Sequence, residues 1–317
     1  MGKYSKITEK GLNGEFFLAL EKQLAAGIAG RVGAYYDSNE ETETYRGLGT
    51  APAMREWIGG RLEKSAAPLE YVLRNRKFEQ TIPIPVDDIR RDKVGAINRL
   101  IRGAGQRAGE HWDKLLYEAD VAGTATVCYD GQYFYDSDHE EGDSGAQTNL
   151  LTATEIPALD VTDADVPTAD EMVDILLGAI QYILSYKDDQ GEPLNGAARE
   201  FLAYVPLNMW AAAVHAISAE QISSGQTNKM KGFQADGYII RVVPEARLAL
   251  TTTTMKVFRT DGEFKPFILQ EELPLQTQTI GAGSQEEFKN DRWLFGTKAI
   301  RAVGYGLWQH AVHLTLS

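Results

Sequence analysis

An α+β fold is predicted for this chain from three observations. Apolar residues recur at helical spacing in three long segments, 13–35, 87–120 and 168–187, and strand-like segments dominate from residue 238 onward. The two kinds of element never alternate in a regular βαβ series, so helices interleaved with a mixed sheet fit better than a doubly wound fold.

The first helix is expected over 13–35, where Phe16, Phe17, Leu20, Leu24 and Ile28 share one face and Asn13 is placed to cap the N-terminus. Glycines at 27, 30 and 33 loosen its end. From 42 to 85 the chain turns extended, because glycines at 47, 49, 59 and 60 and prolines at 52, 68, 83 and 85 exclude a long helix. Residues 69–73 and 78–84 are strand candidates, with a short helix expected near 53–62. As a hairpin with arms of roughly 18 residues, this segment would reach about 60 Å. A globule of this size has a radius of gyration of only about 20 Å. Such a limb would leave its own body and need neighbours to cover Tyr71, Leu73, Phe78 and Ile82.

Residues 87–120 read as one long helix whose apolar stripe runs from Val94 through Ile97, Ile101, Ala104, Ala108 and Trp112 to Leu116. Gly103, Gly105 and Gly109 cost it about 1 kcal/mol each relative to Ala, so they either need tertiary support or admit a second backbone. Residues 148–166 read as surface loop. Thr168 and Glu171 form a capping box that opens a helix bearing Met172, Val173, Leu176, Leu177, Ile180 and Leu184. A strand is expected over 200–205, and Pro206 opens a helix carrying Trp210, Val214 and Ile217. Strands then follow at 238–243, 248–259, 267–271, 292–295 and 307–316.

Hydrophobic residues at 43% and charged residues at 24% are ordinary globular values. Cys128 is the single cysteine, which excludes an intramolecular disulfide framework. No run of 18 apolar residues occurs and the first residues lack an apolar signal core, so no membrane association is expected. The net charge of −13 is unevenly placed: residues 1–120 carry 19 Lys+Arg against 18 Asp+Glu, whereas 121–317 carry 13 against 27. Opposite patches on one chain suit a protein that meets copies of itself, and solvated faces are the plainer alternative. The acidity argues against sequence-specific nucleic-acid binding.

Chemistry candidates are few. Asp130, Asp136, Asp138, Glu140, Glu141 and Asp143 resemble the start of a calcium loop, yet the turn glycine is replaced by Glu141 and the closing glutamate by Gln147. A solvated acidic loop is the simpler reading, with His139 a polar loop histidine. His310 and His313 fall three apart in an expected strand and so point to opposite faces. His215 reads as structural, and Cys128 as a thiol in a buried strand. No nucleophile elbow, phosphate-binding glycine loop, dinucleotide fingerprint or zinc spacing occurs. No catalytic residue, metal or cofactor is expected.

Three blocks carry a family resemblance. Thr126-Val-Cys-Tyr-Asp-Gly-Gln-Tyr-Phe-Tyr-Asp-Ser-Asp-His139 packs four aromatics and three carboxylates into fourteen residues. Asn75-Arg-Lys-Phe-Glu-Gln-Thr-Ile-Pro-Ile-Pro-Val-Asp-Asp-Ile89 precedes it, and Gly304-Tyr-Gly-Leu-Trp-Gln-His-Ala311 closes the chain. Together, in this order, they resemble the Mu-like phage major head protein (gpT-like) family. That resemblance implies a Hong Kong 97-type capsid fold: N-terminal arm at 1–41, extended β-hairpin loop at 42–85, and peripheral domain at 86–200 with a spine helix at 87–120. The axial domain would occupy 201–300, and 301–317 would return to the peripheral domain. The family's acidic pair after the loop stands here as Asp87-Asp88, followed by Arg90 and Arg91.

The function so implied is a major capsid protein forming hexamers and pentamers of an icosahedral shell around double-stranded DNA, assembled in a host bacterial cytoplasm and resident in the virion. Few residues precede the first helix, so a separate scaffolding protein is expected, with a portal and a decoration protein as further partners. Lysines such as Lys64 or Lys77 have no arrangement that favours crosslinking, and a non-covalent shell is expected. Tyr71, Leu73, Arg74, Arg76, Phe78 and Ile82 are the expected interface residues on the loop, received by Asp136, Asp138, Glu140 and Glu141 of a neighbour. Arg99, Arg102 and Arg107 are candidates to face DNA phosphates without base specificity. The alternatives are an encapsulin-like nanocompartment shell holding an enzyme cargo and, in another class, a metal-dependent hydrolase using the 130–143 carboxylates. Reversing Arg74 and Arg76 to Glu is expected to leave the subunit folded and block assembly; unchanged particle yield would reject that docking.

Overall fold

The computed structural model describes residues 9–46, 70–91, 93–221, 223, 225–248 and 252–317. Its elements run α1 (Glu9–Ala26), α2 (Ala29–Val32), β1 (Gly33–Asp37), β2 (Thr42–Arg46), β3 (Glu70–Arg74), β4 (Arg76–Pro85), α3 (Val86–Arg90), α4 (Val94–Gly109) and α5 (His111–Ala122). They continue β5 (Leu150–Leu151), α6 (Ala169–Ser185), β6 (Glu200–Pro206), α7 (Leu207–Ser218), α8 (Lys229–Ala235), β7 (Ile239–Glu245), β8 (Thr254–Arg259), β9 (Phe267–Ile280), α9 (Gln285–Asn290), β10 (Arg292–Tyr305) and β11 (Ala311–Thr315). The class is α+β as expected: both larger sheets are mixed, one ordered β1-β9-β10-β4 and the other β5-β11-β8-β6-β7. A separate ribbon pairs β2 with β3.

Local chemistry accounts for the helix ends. The capping box at Thr168 and Glu171 is formed, and Glu171 also accepts from Thr162, which together hold its carboxyl down to about 2. Pro206 occupies the N-cap of α7. The buried face of α7 is Met209, Ala213 and Ala216, whereas Trp210 is left exposed, so the bulky residues do not mark the inward stripe here.

The first helix departs from the sequence reading at both ends. Asn13 lies inside α1 rather than at its cap, and the helix stops at Ala26. The Asp113 carboxylate draws the chain away there, accepting the N–H groups of Ile28 and Ala29 at 3.0 and 2.9 Å. Long-range capping of this kind leaves no local sequence trace. The expected helix 87–120 is likewise three pieces, with α3 ending at Arg90 and α4 passing to α5 through Glu110, which keeps helical dihedrals (φ −69°, ψ −11°). The segment 148–166 is not simple surface loop, because Leu151, Ile156 and Leu159 are buried. Strands β9 and β10 are far longer than the segments read from sequence. Their polar stretch around Gln276–Gln278 stands over a half-exposed face and so lacks a continuous apolar pattern. The expected helix near 53–62 lies outside the described residues.

The expected domain limits also need correction. The 200/201 limit cuts β6 and the 300/301 limit cuts β10. The closing strand β11 joins β8 and β5, so it belongs to the sheet of β6 and β7 rather than to that of β4. Sheet membership follows backbone pairing, which no single segment specifies.

Two cores result. The larger surrounds the β5-β11-β8-β6-β7 sheet with α6, α7 and the start of β9, and includes Trp308, Phe134 and Phe201. The second clamps α1 and α4 over the far half of the other sheet, through Leu12, Phe16, Ile97, Ile101, Ile84 and Phe295. Here the helices approach so closely that a Cβ on Gly105 would lie 2.3 Å from the Phe16 carbonyl oxygen, and one on Gly109 2.7 Å from Gln23 Cβ. A Cβ on Gly103 would meet nothing within 4 Å. Gly105→Ala is therefore expected to destabilise the fold by about 1–3 kcal/mol through overpacking. Gly103→Ala should instead gain roughly 0.5–1 kcal/mol from helix propensity. Thermal denaturation of the two variants decides, and equal Tm changes would contradict the packing.

Candidate functional site

The base of the 42–85 segment is seated on its own subunit. β4 pairs with β10 from Arg76↔Arg301 to Pro85↔Arg292, and Asn75, buried at the corner between β3 and β4, donates to Ser38 Oγ and the Glu40 carbonyl, both at 2.9 Å. The Tyr71 ring and Leu73 lie against Gly304, where any Cβ would sit 2.8–2.9 Å from them. Tyr71 Oη accepts the Tyr305 N–H at 3.2 Å, and burial pushes this phenol up to about 12. Tyr45 donates to Gln270 at 2.8 Å beneath the same corner.

These contacts correct the expectation that the loop's apolar residues wait for neighbours. Leu73 is buried in the larger core, Ile82 in the second, and Phe78 packs edge-on to His111 at 4.4 Å. Arg74 is held by Glu41 at 2.6 Å and Arg76 stands 3.8 Å from Glu118. Both arginines remain exposed. Residues 47–69, the outer part of the expected limb, lie outside the described residues.

The aromatic-acidic block 126–139 folds against the closing block 304–311. Phe134 stacks on Tyr305 at 4.6 Å, and His139, fully buried, stacks on Trp308 at 4.0 Å and 8°. Glu141 is buried as well: Tyr129 donates to it at 2.5 Å, Gln309 at 2.9 Å and Trp308 Nε1 at 3.3 Å. Burial raises the Glu141 carboxyl and these donors oppose the rise. Glu141 is therefore a poor acidic receiver for a neighbour, since it is buried with three donors on its Oε1, and removing them would strand a buried charge.

His139 is no polar loop residue either. Its Nδ1 lies 2.6 Å from Asp130 Oδ2. Burial works to raise the Asp130 carboxyl, but His139, the Cys128 thiol and the Gln132 N–H outweigh it and leave it below its usual range. Cys128, Asp130 and His139 form the one close cluster of potential metal-ligand side chains among the described residues. Cys128 sits in a turn rather than a strand, and burial drives its thiol well above the ordinary value. Asp136 and Asp138 turn outward, Asp136 accepting the N–H groups of Tyr133 and Ser137. The calcium-loop carboxylates are divided, Asp130 and Glu141 being engaged in separate internal contacts while Asp136, Asp138 and Glu140 reach solvent, and the hydrolase alternative is not favoured.

The three arginines proposed to face phosphates have different surroundings. Arg102 pairs with Glu15 of α1 at 2.5 Å, Arg99 is exposed, and Arg107 borders a cleft between the α4–α5 bend and the β4–β10–β9 sheet. That cleft, of about 450 Å³, is also lined by His111, Lys114, Arg247 and Arg301, which the sequence reading passed over. A charge at 301 within the apolar run Ala299-Ile300-Arg301-Ala302-Val303 was the available sign.

The family model for the Mu-like prophage major head subunit gpT matches residues 6–163 and 249–315, well over half of the chain. The chain belongs to this gpT family. Among curated relatives, the Mu-like prophage FluMu major head subunit of Haemophilus influenzae is 35% identical over 146 residues, 44% of this chain and 47% of that protein. The major capsid protein of Escherichia phage Mu is 30% identical over 109 residues, 34% and 36% of the two chains. Both alignments thus span under half of the relative. In three dimensions, the procapsid chain of bacteriophage JBD30 matches 98% of this chain and 77% of its own length, with TM-score 0.55 and 21% identity. A cyanophage P-SCSP1u capsid chain matches with TM-score 0.53 at 12% identity, covering 92% and 88%. A virus-like particle from Pyrococcus furiosus matches with TM-score 0.51 at 10%, covering 95% and 98%. The fold is the Hong Kong 97-type capsid fold.

In this gpT-family chain the last strand region also holds two unusual histidines, His310 in the closing block and His313 just after it. His313 is in strand β11 as expected, but His310 ends a 3-10 turn, so the two do not share one strand. Burial first, then Arg259, lowers His310 to about 4; burial first, then Lys256, lowers His313 to about 3. In the unfolded chain both rings protonate below about pH 6.5. The unfolded state therefore binds more protons from there down to the folded values, and stability falls as pH drops through that window. Tm is expected to decline from pH 6.5 toward pH 4, each ring contributing up to about 1.4 kcal/mol per pH unit. His313→Phe should flatten the decline; an unchanged slope would contradict this assignment.

Proposed function

We propose that this chain is the major head subunit of a tailed, Mu-like bacteriophage or prophage. Its copies form hexamers and pentamers of an icosahedral shell around double-stranded DNA, held by non-covalent contacts. The observation that carries the reading is the gpT family match at both ends of the chain, on a fold whose likeness to a phage procapsid chain covers 98% of its length. The work is mechanical: large shared interfaces resist the pressure of a packed genome.

On this reading 1–41 serve as the arm, 42–85 as the extended loop and the α4–α5 helix as the spine. Arg74, Arg76, Asp136, Asp138 and Glu140, all at least partly solvent-accessible, supply polar contacts between subunits. Arg99 is the one of the three candidate arginines best placed to meet phosphate. A scaffolding protein, a portal and a decoration protein are the partners such a shell requires, and assembly in the host cytoplasm precedes residence in the virion. Among the described residues no helix is long and apolar enough to cross a membrane. Likeness to the Pyrococcus particle comes at 10% identity and speaks to fold alone, so the nanocompartment alternative has less behind it than the head-subunit reading.

Electron microscopy of the purified chain, alone and co-expressed with the genes beside it, tests the proposal. Closed, uniform particles are expected. A species that stays monomeric at high protein concentration under both conditions would overturn it, and particles loaded with one enzyme would favour the nanocompartment.

A further inference from the structure

The cleft beside the α4–α5 bend has an unusual charge balance. Its floor is apolar, from Phe78, Ala108, Leu275 and Ala299, and its walls carry four permanent cations against the carboxylates of Glu79 and Glu110. Arg247 is already bound by Glu245 at 3.0 Å, and Lys114 stands only 3.8 Å from Glu118. Arg107 has no ion-pair partner among the described residues. Arg301 is the telling group. It is 3% exposed, lies over the Trp112 ring at 4.6 Å, and its nearest carboxylate, Glu271, is 3.7 Å away. Its Nε–H has no acceptor among the described residues. A buried guanidinium with an unmet donor is costly, and an anion entering the cleft would relieve it.

The same chain presents a complementary feature at 136–140. Asp138 and Glu140 are exposed, and no ion pair among the described residues uses either of them or Asp136. A hydrogen bond with Asp136 and the charge beside it hold the Asp138 carboxyl above its usual range. Two carboxylates leaning on one another in solvent mark a charge that no cation among the described residues pairs with.

We propose that the cleft receives the acidic 136–140 loop of a second copy of this chain, with Asp138 and Glu140 meeting Arg107, Lys114 and Arg301. The proposal rests on the shell reading and names one contact within it. It moves the basic side of the expected docking from Arg74 and Arg76, of which Arg74 is held by Glu41 at 2.6 Å, to a cleft where Arg107 is in no ion pair among the described residues and Arg301 keeps an unmet donor. The cleft volume falls in the range of pockets that enclose a few side chains, so this contact is an anchor within a larger interface. Glu79 and Glu110 on its walls oppose a continuous phosphate backbone more than a pair of carboxylates.

Carbodiimide chemistry, which joins a carboxylate to an amine in contact without a spacer, reads this geometry directly. Chain labelled with ¹⁵N is mixed with unlabelled chain, assembled, treated and digested. Mass spectrometry should find Lys114 of one isotope joined to Asp138 or Glu140 of the other. The link should be lost in D138N/E140Q, and R107E should reduce its yield at least several-fold while circular dichroism stays unchanged. Links in complexes that never close into shells would uphold the contact and overturn the head-subunit reading. Shells without the link would overturn the contact alone. If R107E then lowered nucleic-acid retention, the cleft would belong to phosphate. A chain that never associates would overturn both.

Discussion

One strand carries the heaviest constraint in this molecule. β10 must pair its backbone on both edges, with β9 on one side and β4 on the other, while serving two cores. Its first residues put Trp293 and Phe295 under the α1–α4 pair, and its last put Tyr305 against Phe134. Between them Arg301 is sealed beneath Trp112. At Gly304 the strand has no side chain at all, and that gap admits Tyr71 and Leu73. The root of the extended segment therefore rests where the strand offers space rather than adhesion. A larger residue there would displace the ribbon that leads outward.

The aromatic-acidic block and the closing block form a polar lock inside apolar surroundings. Burying Glu141 costs free energy unless its charge is met by donors, and Tyr129, Trp308 and Gln309 converge on its Oε1. Buried Asp120 accepts from Tyr135 at 2.6 Å on Oδ1 and is ion-paired with Lys256 at 3.2 Å on Oδ2. Asn195 ties the ends of this region together, donating to the carbonyls of Ile183 and Gln309 and accepting from Arg259. Mutually satisfied groups of this kind tolerate few substitutes, because changing one member strands another. That gives a physical reason for a family to be readable from these short blocks.

Charge at the surface follows a different logic. Among the described residues the exposed carboxylates at 138 and 140 have no cation in an ion pair, and the Arg301 Nε–H in the cleft has no acceptor. Unbalanced charge of this kind is stabilised when a partner surface supplies the missing sign, which is the physical basis of the proposed contact. The net charge of −13 sets the background repulsion that such contacts must overcome.

Periodicity, capping chemistry and turn residues were enough to determine the α+β class, the capping box at Thr168, the start of α7 after Pro206 and the approximate position of most strands. The three blocks were enough to indicate the family, whereas the glycines at 103, 105 and 109 left open whether a second backbone approached, which it does at 105 and 109 but not at 103. What tertiary structure alone decided is where each side chain is spent. Glu141 and His139 looked like loop residues and are core; Leu73 and Ile82 looked stranded and are covered; the break after α1 is set by Asp113, 84 residues beyond the Ala29 N–H it accepts. Local pattern reports a residue's preference for water or for a helix, because those are properties of short segments. Partnership between residues far apart in the chain depends on strand order and backbone proximity, and these exist only once the chain has closed on itself.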